Sequence, residues 1–104
     1  MNFADQLKQL PPVDALSALQ LLDTQGRVVA TIENRPGQAG SLAVYAALAA
    51  RHGRIDVAAA QEGLRLFAEH TAAAQSHPGS HPNIDRLFEV VASGQGYEVR
   101  TILR

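Results

Sequence analysis

Two stretches of this chain carry residues whose types and spacing could do chemistry. The first is "EHTAAAQSHPGSHPNID", which sets His70, His77 and His81 beside Glu69 and Asp85. Imidazole and carboxylate are good ligands for zinc or iron, and a His-x-x-x-His pair chelates when both rings face one way. His77, His81 and Asp85 are the metal-ligand candidates. Pro78-Gly79-Ser80 and Pro82 put that pair in a loop, however, which removes the one-turn helical geometry that makes the spacing informative. The competing reading is a polar loop with ordinary histidines.

The second is "NRPGQAGS", residues 34–41, between a run of strand-like residues and a helix. Pro36 fixes its own φ, Gly37 and Gly40 open conformations closed to other residues, and Ser41 suits a helix N-cap. Backbone N–H groups following Ser41 could then seat a phosphate or carboxylate, with Arg35 as a nearby cation. Arg35, Gly37, Gly40 and Ser41 are the ligand-binding candidates. No Lys follows Gly40 as in a Walker loop, and the three-glycine dinucleotide fingerprint is missing. The same glycines would equally serve a plain strand-to-helix turn.

Catalytic groups are not paired by spacing. Ser17, Ser41, Ser76, Ser80 and Ser93 are potential nucleophiles, but none sits in a G-x-S-x-G elbow. Glu62 and Glu69, seven residues apart, read as one solvated helix face. No cofactor is implied, and the reading is of a non-catalytic protein.

The whole composition narrows the classes further. The chain has 104 residues, 46% hydrophobic and 18% charged, with a formal charge of -1 and no cysteine. That suits one folded domain over 1–104 and excludes disulfides, thiolate chemistry and Cys-bound metal clusters. No basic segment matches a nucleic-acid backbone, so nucleic acid is not an expected partner. Residues 1–10 lack the apolar core of a secretory signal, and no window is apolar enough to span a membrane; the expected location is the cytoplasm.

Asn2 caps a short helix containing Phe3, Leu7 and Leu10, which Pro11 and Pro12 stop. "ALQLLDTQGRVVATIE" reads as a β-hairpin, residues 18–23 and 27–33, turning at Asp23-Thr24-Gln25-Gly26. A helix over 41–51 follows, ended by Gly53, with no charge until Arg51. An uncharged helix is either sandwiched inside the domain or pressed on another subunit. In the second case Val44, Tyr45 and Leu48 form a homodimer interface.

Asp56 caps a longer helix reaching about Ser76, with Val57, Ala60, Leu64, Phe67, Thr71 and Ala74 inward and Leu66 off the stripe. Gly63 within it signals close approach by another backbone. Asn83 caps a last helix with Ile84, Leu87, Phe88 and Val91 inward, ended by Gly94. "YEVRTIL" alternates as a strand. The expected fold is α+β: a three-stranded antiparallel sheet, formed by the hairpin and the C-terminal strand, under three to four helices. The expected role is a homodimerising interaction module, or alternatively the binding of a small metabolite or anion at loop 35–42.

Two resemblances bear on this. "ATIENRPGQAGSLAVYAALAARHGRID" resembles the first strand, Pro-Gly turn and helix of an ACT-type regulatory domain. That family binds amino acids at this turn and dimerises, and Asn34, Pro36, Gly37 and Leu42 are the matching positions. The match departs where such a domain would enter a strand after His52-Gly53, because residues 57–76 read as helix. Over its whole length, through "FADQLKQLPPVD", "GSLAVYAALAARHG" and "LFAEHTAAAQSHPGSHPNIDRL", the chain resembles a bacterial domain-of-unknown-function family, number 2322. That resemblance implies a cytoplasmic protein of this size and assigns no catalytic or binding residue.

Overall fold

A computed structural model describes residues 1–104. In chain order the elements are α1 (Phe3–Gln9), β1 (Leu16–Leu22), β2 (Val28–Glu33), α2 (Ala39–His52), α3 (Val57–Leu66), α4 (Glu69–Ser76), α5 (Pro82–Ser93) and β3 (Glu98–Leu103). The α+β class and the antiparallel sheet of hairpin plus C-terminal strand are as expected, in the order β2-β1-β3. The helices number five because the long one expected over 56–76 is broken in two.

Short-range chemistry sets the hairpin. The Asp23 carboxylate accepts N–H bonds from Gln25 and Arg27, each 2.9 Å, and closes the turn. Leu19 then faces Ile32 across β2 and Thr101 across β3, with Leu21 between Ala30 and Val99. Side chains alternate between the two faces of a strand, so Leu19, Leu21 and Ile32 enter the core, each at most 1% exposed. Gln20 and Arg100 are paired on the opposite, open face, where the guanidinium donates to Oε1 of Gln20 at 2.7 and 3.0 Å.

α2 packs on β1 and β2 on one side and on α3 on the other. Leu42, Val44, Tyr45 and Leu48 are all 0% exposed within one chain. Of the two readings of the uncharged helix, it is the sandwiched one that is observed; the three residues assigned to a subunit contact are the core itself. Gly63 lets this happen. A Cβ there would sit 2.7 Å from a Leu87 methyl and 2.8 Å from a Leu48 methyl, so the approach is by leucine side chains from α5 and α2 rather than by backbone. The Tyr45 hydroxyl crosses the core to donate to the Asn83 carbonyl of α5, and burial pushes its phenol above the ordinary tyrosine range.

Helix ends follow the expected residues in part. Asn2 caps α1 by accepting the Asp5 N–H at 2.8 Å, Asp56 caps α3 through the Ala59 N–H, and Gly53 and Gly94 end α2 and α5 in left-handed conformations. Ser41 and Asn83 are not caps. α2 starts two residues before Ser41, at Ala39, because Leu42 donates to the Gln38 carbonyl while the Gln38 side chain accepts the Glu33 N–H at the end of β2. α5 starts with Pro82 after His81, since proline presets helical φ and lacks the N–H that a first turn leaves unpaired.

The helical run over 56–76 breaks at Ala68, the one non-glycine residue with positive φ, at 53°. Such a backbone costs roughly 1–3 kcal/mol and persists only where its surroundings enforce it. Here Phe67 stays in the core and stacks on Phe3 with ring centroids 5.4 Å apart, while Thr71 turns back to donate its hydroxyl to the Leu64 carbonyl. The buried faces also differ from the expected ones. Leu66 is buried rather than off it, and in α5 it is Val90 that faces inward while Val91 is exposed.

Glu62 is not a solvated companion of Glu69. It holds the last turn of α2, taking Arg51 at 2.7 Å and His52 at 2.8 Å, and the His52 hydrogen bond first, then Arg51, keeps its carboxyl below the usual range.

Beyond α5, Ile55 and Tyr97 exchange two N–H···O bonds of 2.9 Å that tie the α2–α3 connection to the start of β3. Gly96 makes that possible, because a Cβ there would lie 1.9 Å from the Ile55 carbonyl oxygen. Gly96→Ala is expected to cost about 2 kcal/mol or more in urea unfolding, since backbone cannot yield as a side chain does. Gly53→Ala meets nothing within 4 Å and strains only its own backbone, so it should cost less, about 1 kcal/mol.

Candidate functional site

The glycine loop and the histidine segment, about forty residues apart in the chain, line one cavity of about 430 Å³. Gly37, Gly40 and Ser41 come from the one segment and Ser80, His81 and Asn83 from the other. Phe3, Leu7, Phe67 and Ile84 supply its apolar wall, and His70 lies among them. The volume falls in the range usual for small-molecule sites.

Each side chain arrives for a local reason. Gly37 has φ 89°, which turns the chain from β2 into α2. Gly40 lies inside α2 and serves packing, because a Cβ would come 3.1 Å from the Phe3 ring. Ser41 is in the first turn of α2. The break at Ala68 carries His70 to the cavity, where its ring meets Phe3 edge-on at 5.0 Å and the His81 ring at 5.6 Å. α5 contributes its own first turn through Pro82 and Asn83.

The cavity therefore lies between the N-terminal ends of two helices, both with partial positive charge. No Asp or Glu lines it. Ser80 donates its hydroxyl to the His77 carbonyl, and Asn83 Oδ1 accepts from Arg86. The Ser41 hydroxyl and both imidazoles have no hydrogen bond within the chain and stay free for a guest.

The expected site residues separate accordingly. Gly37, Gly40, Ser41 and His81 come together. Arg35 does not join them, being paired with Glu33 at 3.0 Å on the surface. The Asp85 carboxylate accepts the Gly79 N–H at 2.9 Å, His77 is exposed at the end of α4, and no group of three His, Asp or Glu side chains is placed to hold a metal ion. His77, His81 and Asp85 thus form no chelate, because the Pro78–Ser80 turn spends Asp85 on its own backbone. Asn34, one of the ACT-like positions, donates to the Val13 and Leu16 carbonyls and braces β1. Phe3, Phe67 and His70 are the wall residues that spacing did not single out as a set.

A second cavity, of about 520 Å³, is lined almost wholly by polar residues of both charge signs, including Asp23, Arg54 and Glu89. Arg54 lies 3.2 Å from Glu98, so its charge is matched within the chain.

Glu69 does not line the first cavity but braces one of its residues. Its Oε1 accepts the Phe3 N–H at 2.7 Å, which adds a second cap to α1 beside Asn2 and holds Phe3 over the cavity. Hydrogen bonds from its own backbone N–H and from that of Phe3 keep the Glu69 carboxyl below the usual glutamate range.

The chain belongs to the bacterial family described as "Uncharacterized protein conserved in bacteria (DUF2322)", whose model matches residues 3–101. No curated protein and no solved structure matches it. No helix is long and apolar enough to cross a membrane.

The Glu69 tie has a defined pH dependence. A carboxyl with a lowered folded pKa adds stability that is present above its unfolded pKa and lost as pH falls through the folded one. Hydrogen exchange should show α1 amides losing protection on acidification through and below the carboxylate range, while α2 amides stay protected; Glu69→Gln should produce the same loosening at neutral pH.

Proposed function

We propose that this protein is a non-catalytic, cytoplasmic module that binds a small anionic ligand in the cavity between loop 37–41 and His81. The observation that carries the reading is the meeting, in one cavity lined by no carboxylate, of two helix N-terminal turns, the free Ser41 hydroxyl and two imidazoles that make no hydrogen bond within the chain. Backbone N–H groups and helix ends favour negative charge, and each imidazole can donate a hydrogen bond to it. A hydrolase-like role for Ser41 and His81 would need a third group to orient the ring, and neither Asp85 nor Glu69, both engaged by backbone N–H groups, is available.

The second reading is self-association, and what favours it is the sheet rather than α2. Val28 and Val29 are 44% and 48% exposed on β2, an outer strand that can pair with a second copy. Light scattering at micromolar concentration should then give a dimer that Val29→Lys returns to a monomer; a wild-type monomer rejects that reading.

For the ligand reading, titration with inorganic phosphate and acetate should move the amide signals of Gly37, Gly40 and Ser41 together with the His70 and His81 ring signals. His81→Ala should weaken binding roughly tenfold, about the worth of one charge-assisted hydrogen bond. Unmoved signals throughout would reject it.

A further inference from the structure

We propose that the free edge of β3 pairs with the same edge of a second copy of this chain, antiparallel and centred on Thr101, so that two sheets of three strands run on as one. This goes beyond the self-association reading, which rests on β2, and uses the other edge of the sheet.

The backbone decides which edge is open. Successive residues of a strand turn their N–H and C=O groups to alternate sides. In β3 the even-numbered residues face β1: the Ile102 carbonyl accepts the Ser17 hydroxyl, and the Arg104 N–H just past the strand donates to the Ala15 carbonyl. Tyr97 points the other way, where it exchanges its two bonds with Ile55. Val99, Thr101 and Leu103 therefore point outward as well, on a side where β3 has no neighbouring strand. β2 offers less. Its Asn34 N–H donates to Ser17 of β1, so Glu33 is an outward residue, but the Glu33 N–H is held by the Gln38 side chain and its carbonyl by the Arg35 N–H. Only Thr31 then precedes the irregularity opposite Leu21 and Leu22.

Side chains say what the β3 edge fits. With Thr101 opposite Thr101, all three outward residues pair at once, and the pairing stops short of Tyr97 and leaves its bridge to Ile55 intact. Val99 then meets Leu103 of the second copy, and Leu103, 70% exposed in the single chain, gains a Val99 in return. On the other face of the strands, Glu98 comes opposite Arg104 twice over, once on each side of the two-fold axis. The Glu98 side chain is 63% exposed despite its contact with Arg54, and Arg104 uses only its Nε within the chain, on the Leu16 carbonyl.

Charge also rejects the neighbouring registers. Sliding the second copy by two residues one way sets Arg100 against itself and drives Leu103 onto the occupied Tyr97; two residues the other way sets Arg100 against Arg104. Like charges directly opposite are destabilising, and a slide of one residue would match outward backbone groups to inward ones. The edge is complementary to itself in one register.

Sedimentation equilibrium of the full chain at micromolar concentration and above should show a dimer. Thr101→Pro removes an outward N–H that the single chain does not use, and proline is accepted on a sheet edge, so the dimer should be lost while the melting curve of the monomer holds. Arg104→Glu should weaken association about tenfold or more, and adding Glu98→Arg to it should restore the wild-type dimer, a rescue that a merely structural role for either residue would not give. Val29→Lys should leave the dimer as it was. If Thr101→Pro lowers the melting temperature, the charge exchange decides alone. A wild-type monomer overturns the proposal and the β2 reading together. A dimer dissolved by Val29→Lys and indifferent to Thr101→Pro overturns it while the β2 reading survives, and a double variant no better than Arg104→Glu alone overturns the register that defines it.

Discussion

A helix without a charged residue before Arg51 has to be surrounded, and the rest of this molecule is arranged to surround α2. The sheet offers Leu19, Leu21 and Ile32 to one side of it; α3 presents Gly63 and α5 presents Leu87 to another. No polar or charged side chain is buried in the resulting core. The one hydroxyl that goes deep, that of Tyr45, finds the Asn83 carbonyl and so fixes where α5 begins relative to α2. A buried polar group left unmade would cost about 1–3 kcal/mol, which makes this bond a register pin as much as a stabiliser.

Where α5 begins matters because the cavity lies there. At its first turn α2 is packed by α1, whose Phe3 and Leu7 rest on Gly40, and the start of α5 lines the same cavity. α1 and the α3–α4 break supply the remaining wall. α1 itself buries none of its residues and is held by the Phe3 ring and the Glu69 carboxylate. The strained Ala68 fits this picture: unusual backbone concentrates where a site must be shaped, and its cost is covered by the packing of Phe67 beside it.

Sequence reasoning reached the parts governed by neighbours along the chain. Asn2, Asp23, Asp56, Gly53 and Gly94 act within four residues of their partners, and the strands alternate in a way that three-stranded pairing satisfies. It missed what distant contacts decide. "LFAEHTAAAQS" has the period and propensity of uninterrupted helix, and only Phe3 and the α1 N-terminus, over sixty residues away, explain its break. Ser41 and Asn83 have the chemistry of caps but lie inside helices whose starts Gln38 and Pro82 determine. For the site, the glycine loop and His81 were visible as polar, flexible segments. Their meeting was not, nor was the choice among metal, anion and plain turn, because chelation depends on ring directions that spacing in a loop does not control. Phe3 and Phe67 read as ordinary core residues, and spacing gave no sign that their rings would stack.

The strand order has a consequence for how the chain comes to be made. β1 sits in the middle of the sheet, yet its two partners are of very different age: β2 emerges within a dozen residues, whereas β3 pairs Gln20 with Arg100. During synthesis the hairpin must wait, with one edge of its central strand unpaired, until residues 98–103 have been made. An unpaired strand edge on a growing polypeptide is a template for neighbouring chains. The Gln38 side chain blunts only the other edge of the hairpin, where it takes the Glu33 amide, so the β1 edge is covered by β3 alone.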